Sequence, residues 1–305
     1  MNKRFMDTEN GKSPAPPATD SAPLPPADQR EPTVRKTWSN SRVNPWIVFL
    51  LPFLVFMVVG AFEPTKPTDA GKTSTWIDLG IEYRHYPAVY LIKVLLTIAA
   101  IGYVLPGYRQ VLCQRPSSED SFCEPSPQMV KESRGIRFGS VPLALFIGIF
   151  GTVAWVGLAL IQKDVLQRLG WSLAIGERSA FNPLSELASS PILSYGFLVV
   201  RFIGLVLVVP VIEEMFLRGF LMRFFVAPDW WRVPMGTVNS AAIMAATVVP
   251  MLMHPGEIVA AAIWFSAVTW LLIHTRRLWP CILAHAITNL LMGIYVVASG
   301  NWWLM

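Results

Sequence analysis

Apolar runs of about twenty residues recur along the chain from position 45 onward, divided by short polar connections. The runs are continuous rather than alternating, so they predict helices that are apolar on every side and exclude a membrane barrel. At a rise of about 1.5 Å per residue, about twenty residues cross the hydrocarbon layer of a bilayer. The pattern predicts spans at about 45–62, 87–105, 140–162, 193–216, 240–254, 258–274 and 279–298. Pro210 makes a separate helical piece over 211–226 a second option, so the count is about seven, within six to eight. The fold class is all-α, a polytopic transmembrane helical bundle.

Two stretches break the pattern. Residues 1–43, with SPAPPATDSAPLPPADQREP at 13–32, hold too little apolar surface to bury and are expected to be a disordered, Pro-rich cytoplasmic tail. The first apolar run begins too far along for a cleavable signal and is expected to stay as an anchor. WSLAIGERSAFNPLSELASS (171–190) is too polar to span and is expected as an outer loop with a short interfacial helix. The multi-pass domain then covers 44–305.

Composition agrees. The 305 residues are 53% hydrophobic and 15% charged, with mean hydropathy +0.45, which excludes a soluble enzyme. The net charge of +5 would suggest an acidic partner for a soluble protein, but here the cations gather in the tail and in short loops. Arg30, Arg35, Lys36 and Arg42, then Arg109, Arg115, Lys131, Arg134 and Arg137, fall on one side with Arg218, Arg223, Arg232, Arg276 and Arg277 if the N-terminus is cytoplasmic. The opposite loop 63–86 mixes both signs. The expected location is a bacterial inner membrane. No basic stripe with interleaved aromatics occurs, so nucleic acid is not an expected partner. The expected partners are the bilayer and a membrane-associated protein or peptide. Trp230–Trp231 and Trp302–Trp303 suit interfacial belts. Cys113 and Cys123 share a cytoplasmic loop, and three cysteines supply no disulfide framework.

Against this background VVPVIEEMFLRGF (208–220) stands out, because each charge at bilayer depth costs several kcal/mol, on the order of 3, unless paired or facing a wet cavity. Glu214 and Arg218 are four apart on one helix face and predict an ion pair. Glu213 points about 100° away and is left to act on water. His285 and Asn289, in LAHAITNLL, also share a face, and offer a base or donor beside an amide able to meet an oxyanion. His254 closes the fifth run before Pro255. Counted from the cytoplasmic ends, Glu213, His285 and His254 lie about 15–20, 10 and 22 Å deep, so a conical cavity is needed to join them. Lys93 and Arg201 are expected to snorkel or pair locally.

Such residues can act in several ways. A carboxylate with an imidazole activates water at neutral pH without a cofactor. Glu213, His254 and His285 could instead hold Zn²⁺, although no HExxH occurs. Cys281, four residues before His285, could form a thiol–imidazole dyad or simply fill space. All these polar groups could also be structural, as in a solute or proton-coupled carrier or an accessory scaffold; no internal repeat supports the carrier.

EEMFLR (213–218), His254 and HAITN (285–289), in that order on successive apolar segments, resemble the EExxxR, histidine and HxxxN motifs of the CPBP family. These are the CAAX-protease and bacteriocin-processing intramembrane peptidases, including type II CAAX prenyl endopeptidases. RRLWPCILAHAITN is similar to the approach to the last motif, and the likeness covers about 193–298. It implies an intramembrane endopeptidase in which Glu213 and His254 activate water, His285 and Asn289 support the oxyanion, and Glu214 and Arg218 hold the structure or orient substrate. The family has been described both as zinc-dependent and as glutamate-based. One departure is Pro250, where the second motif commonly has Phe. NLLMGIYVVASGNWW is also similar to an exosortase-associated CAAX protease-related branch.

Overall fold

The computed structural model describes residues 44–66, 80–112, 127–169 and 180–305; these form helices and connections without a strand. The tail 1–43, Cys113, Cys123 and residues 170–179 lie outside the described residues. The long helices are α1 (Pro45–Gly60), α2 (Tyr86–Leu112), α3 (Pro127–Arg168), α4 (Pro191–Val226), α5 (Ser240–Met253), α6 (Ile258–Thr275) and α7 (Trp279–Ser299). Each predicted apolar run folds as one of them. Segments Tyr83–Tyr108, Ser140–Arg168, Pro191–Val226, Pro255–Thr275 and Trp279–Ser299 are long and apolar enough to cross a membrane, while α1 and α5 are apolar but have only 16 and 14 residues.

The surface is inside-out by the standard of a soluble protein. Ile192 and Val153 are 85% and 68% exposed, and Ile92, Leu95, Phe146, Phe150, Leu193 and Val199 are also exposed. Lys93 of α2 and Arg201, Glu213, Glu214, Arg218 and Arg223 of α4 are instead turned inward. An apolar face of this extent is matched by lipid rather than water, so the chain is an integral membrane protein.

α4 differs from the predicted 193–216. It runs unbroken for 36 residues, about 54 Å of rise, and passes straight through Pro210. The reason is local. Two segments with π-helical bonding, Gly204–Val208 and Met215–Leu221, flank the α-helical turn Val209–Glu214. The Val209 N–H already bonds to the Gly204 carbonyl, five residues back. Proline's missing N–H therefore falls where the ladder has already changed register. The polar connection keeps one helical turn, Pro183–Glu186, capped by Asn182 Oδ1 on the Leu184 N–H at 3.0 Å.

α7 lies at the centre, packed against α3, α6 and the first π segment of α4. α3 approaches it closely because Ala144, Gly148 and Thr152 form a stripe of small residues. A Cβ at Gly148 would meet Ala284 and Ile287, and one at Gly151 would enter the Trp264 indole. The Thr288 hydroxyl lies 3.0 Å from the Gly148 and Ala284 carbonyls and accepts the Trp264 Nε1–H at 3.1 Å. One threonine thus ties three helices together behind the site.

Candidate active site

The adjacent glutamates of α4 face different surroundings, as a step of about 100° per residue requires. Glu214 is fully buried, and its Oε1 lies 2.9 Å from Arg218 Nη1. Arg218, equally buried, also donates through Nη2 to the Phe265 carbonyl at 2.9 Å and lies over the Phe265 ring. This is the predicted i,i+4 pair, anchored to α6. It has a second consequence that spacing along one helix could not show. Glu214 Oε1 is also 3.0 Å from His285 Nδ1. A carboxylate of this pair accepts, so Nδ1 donates, and Nε2 is turned toward Glu213. His285 Nε2 and Glu213 Oε2 are 3.9 Å apart, a gap suited to a bridging water.

His254 is the residue that closes α5, with φ −126° and ψ 60° before Pro255. Its backbone N–H and its ring Nδ1 both reach the Pro250 carbonyl, at 3.0 and 2.9 Å. A carbonyl only accepts, so Nδ1 donates and Nε2 carries the ring's lone pair. Position 250 serves here through its backbone oxygen, which proline supplies as well as phenylalanine would. The aromatic contacts on His254 come from Trp155 and Phe265, with ring centres at 5.3 and 5.6 Å.

Asn289 donates Nδ2–H to the Leu205 carbonyl at 2.9 Å. In the π register Leu205 is the acceptor that an N–H at position 210 would serve, and Pro210 has none. Asn289 therefore fills the hydrogen bond that proline removes, leaving its second N–H and its carbonyl for other partners.

Glu213, His285 and His254, expected at three unequal depths, line one cavity of about 290 Å³ together with Asn289. Glu214 and Arg218 are not on its wall. Glu214 meets the cavity wall through its contact with His285. Cys281 is fully buried too; its thiol points to the Val268 and Arg277 carbonyls, at 3.7 and 3.9 Å, and does not line the cavity. Among the described residues no group of three or more His, Cys, Asp or Glu side chains is placed to hold a metal ion.

The same cavity holds residues that the sequence left aside. Lys93 and Arg201 do not snorkel: they are 5% and 3% exposed and line it, with Glu63, Tyr86 and Tyr90. Two signals pointed there. Tyr86, Tyr90 and Lys93 share a face of α2, and Arg201 lies ten residues inside α4, too deep to reach either end. Trp264, its ring centre 4.6 Å from that of His285, lines the same wall, and Phe265 touches the rings of both histidines.

Comparison with known families matches residues 195–291, about a third of the chain, to the family described as type II CAAX prenyl endopeptidase Rce1-like. The match spans α4 to α7 and contains every residue of the three motifs. No curated protein and no solved structure matches the chain. Over residues 195–291 the chain is therefore similar to the type II CAAX prenyl endopeptidase Rce1-like family, in agreement with the family that its motifs resemble.

Proposed function

We propose that this chain is an intramembrane endopeptidase that hydrolyses peptide bonds of membrane-associated or C-terminally processed substrates with a water activated by Glu213. The observation that carries the reading is the pair Glu213 Oε2 and His285 Nε2, 3.9 Å apart on a cavity wall, with His285 fixed from behind by Glu214 and Arg218. Glu213 takes one proton from the water as its oxygen bonds to the substrate carbonyl carbon. His254, with Nδ1 committed to Pro250, offers the Nε2 lone pair as the second acceptor for that water. The second N–H of Asn289 faces the oxyanion of the tetrahedral intermediate, with His285 beside it. Collapse breaks the C–N bond, and Glu213 returns its proton to the leaving amine. No step needs a cofactor. The N-terminus is assigned to the cytoplasmic side of a bacterial inner membrane, since the basic loops then lie together.

The test is cleavage of membrane-anchored tail peptides by the purified full chain. Glu213→Gln should lose the activity and insert normally, and a chelator should leave the parent rate intact. Solute flux into proteoliposomes without cleavage of any peptide would favour a carrier instead.

A further inference from the structure

Part of the cavity wall is cationic, and the hydrolytic step uses none of it. Lys93 of α2 and Arg201 of α4 both border the cavity. Lys93 is neutralised by an ion pair with Glu63 and lies over the Phe56 and Tyr90 rings, at 4.2 and 4.7 Å. Arg201 differs. Its Nη1 donates to the Phe181 carbonyl at 3.2 Å, and its guanidinium is 5.7 and 5.9 Å from the Tyr86 and Tyr90 ring centres. None of these groups is an anion, and no carboxylate pairs with Arg201 among the described residues. A guanidinium keeps its charge and has five N–H donors, of which one is bonded here. Burying it without a counter-ion is costly, and its planar fork fits a carboxylate with two parallel hydrogen bonds.

We propose that Arg201, with Lys93 beside it, binds the C-terminal carboxylate of the peptide substrate. This rests on the peptidase reading of the same cavity. A cavity of about 290 Å³ is at the small end for a ligand site, a size that suits the end of a chain. The end that bears a carboxylate is the C-terminus. Arg201 and Glu213 are twelve residues apart on α4, about 18 Å of rise that the two side chains shorten. At about 3.4 Å per extended residue, a few substrate residues bridge the distance between them.

The experiment compares dodecanoyl-dileucine with its C-terminal amide, titrated onto the full chain carrying Glu213→Gln, so that binding is read without hydrolysis. The acid should bind at least tenfold more tightly than the amide. That preference should fall below twofold in Arg201→Gln and be partly kept in Arg201→Lys. Equal binding of acid and amide, no binding of the acid, or a preference that persists in Arg201→Gln overturns the assignment; the first two need no Arg201 variant. Displacement of the acid by phosphatidylglycerol micelles, but not by phosphatidylcholine, would assign Arg201 to a lipid phosphate and overturn it too. Acid preference without cleavage of any peptide by the parent chain would sink the peptidase reading alone. Equal kcat/KM for acid and amide peptides would sink the carboxylate assignment alone.

Discussion

His285 Nδ1 lies 3.0 Å from Glu214 Oε1, so the glutamate that does not face the cavity decides which imidazole nitrogen does. Glu214→Gln keeps the shape but removes the charge that holds the Nδ1–H. Catalysis should fall by about 10²-fold or more, in kcat rather than KM, with the protein still inserted and folded. Steady-state kinetics on purified protein checks this, and an unchanged kcat would show that the contact is only structural.

Arg218→Met acts on stability. It leaves Glu214 buried, charged and short of its partner, which typically costs about 3–5 kcal/mol. Thermal unfolding in detergent should show a clear drop in Tm. The double change Glu214→Gln with Arg218→Met should recover much of the loss, because no isolated charge remains.

Glu213→Gln and His254→Ala should each abolish cleavage while leaving Tm and membrane insertion close to the parent values. Full activity in either purified variant would end the proposed mechanism. A chelator at saturating concentration should change the parent rate by less than about twofold, since no step draws on a bound metal. Pro250→Ala should keep activity within a few-fold, because the position supplies His254 with a carbonyl and alanine has the same one.

Asn289 and Pro210 should be energetically coupled. Asn289→Ala strands the Leu205 carbonyl in an apolar interior, at a cost of about 1–3 kcal/mol. Pro210→Ala restores a backbone N–H that can serve the carbonyls of that turn. In the double variant Asn289→Ala should therefore cost less than it does alone. Strict additivity in the unfolding free energies would show that Asn289 does not repair the proline break.

Gly151→Ala places a methyl where Trp264 now packs. Overpacking of this kind costs about 1–3 kcal/mol and would push Trp264 off Thr288 and toward His285. Both Tm and kcat should drop, with a change in tryptophan emission. A normal Tm and emission spectrum would mean that α3 can move away from α6 without consequence.

The sequence by itself determined the elements, because a bilayer demands long continuous apolar helices and those are visible as composition alone. It also determined the candidates for chemistry: a charge inside an apolar run is rare enough to be noticed singly, and i,i+4 spacing gives the Glu214–Arg218 pair without any tertiary information. It did not determine what would serve the Leu205 carbonyl beside Pro210, since that donor comes from Asn289, 84 residues away. Nor did it determine that Glu214 holds His285, that Lys93 and Arg201 turn into the same cavity, or that Cys281 turns away from it. Each of these rests on which face of one helix meets which face of another. A local pattern states only that a face exists. The small residues of α3, the Thr288 junction and the central place of α7 settle which faces meet, and through them the shared cavity.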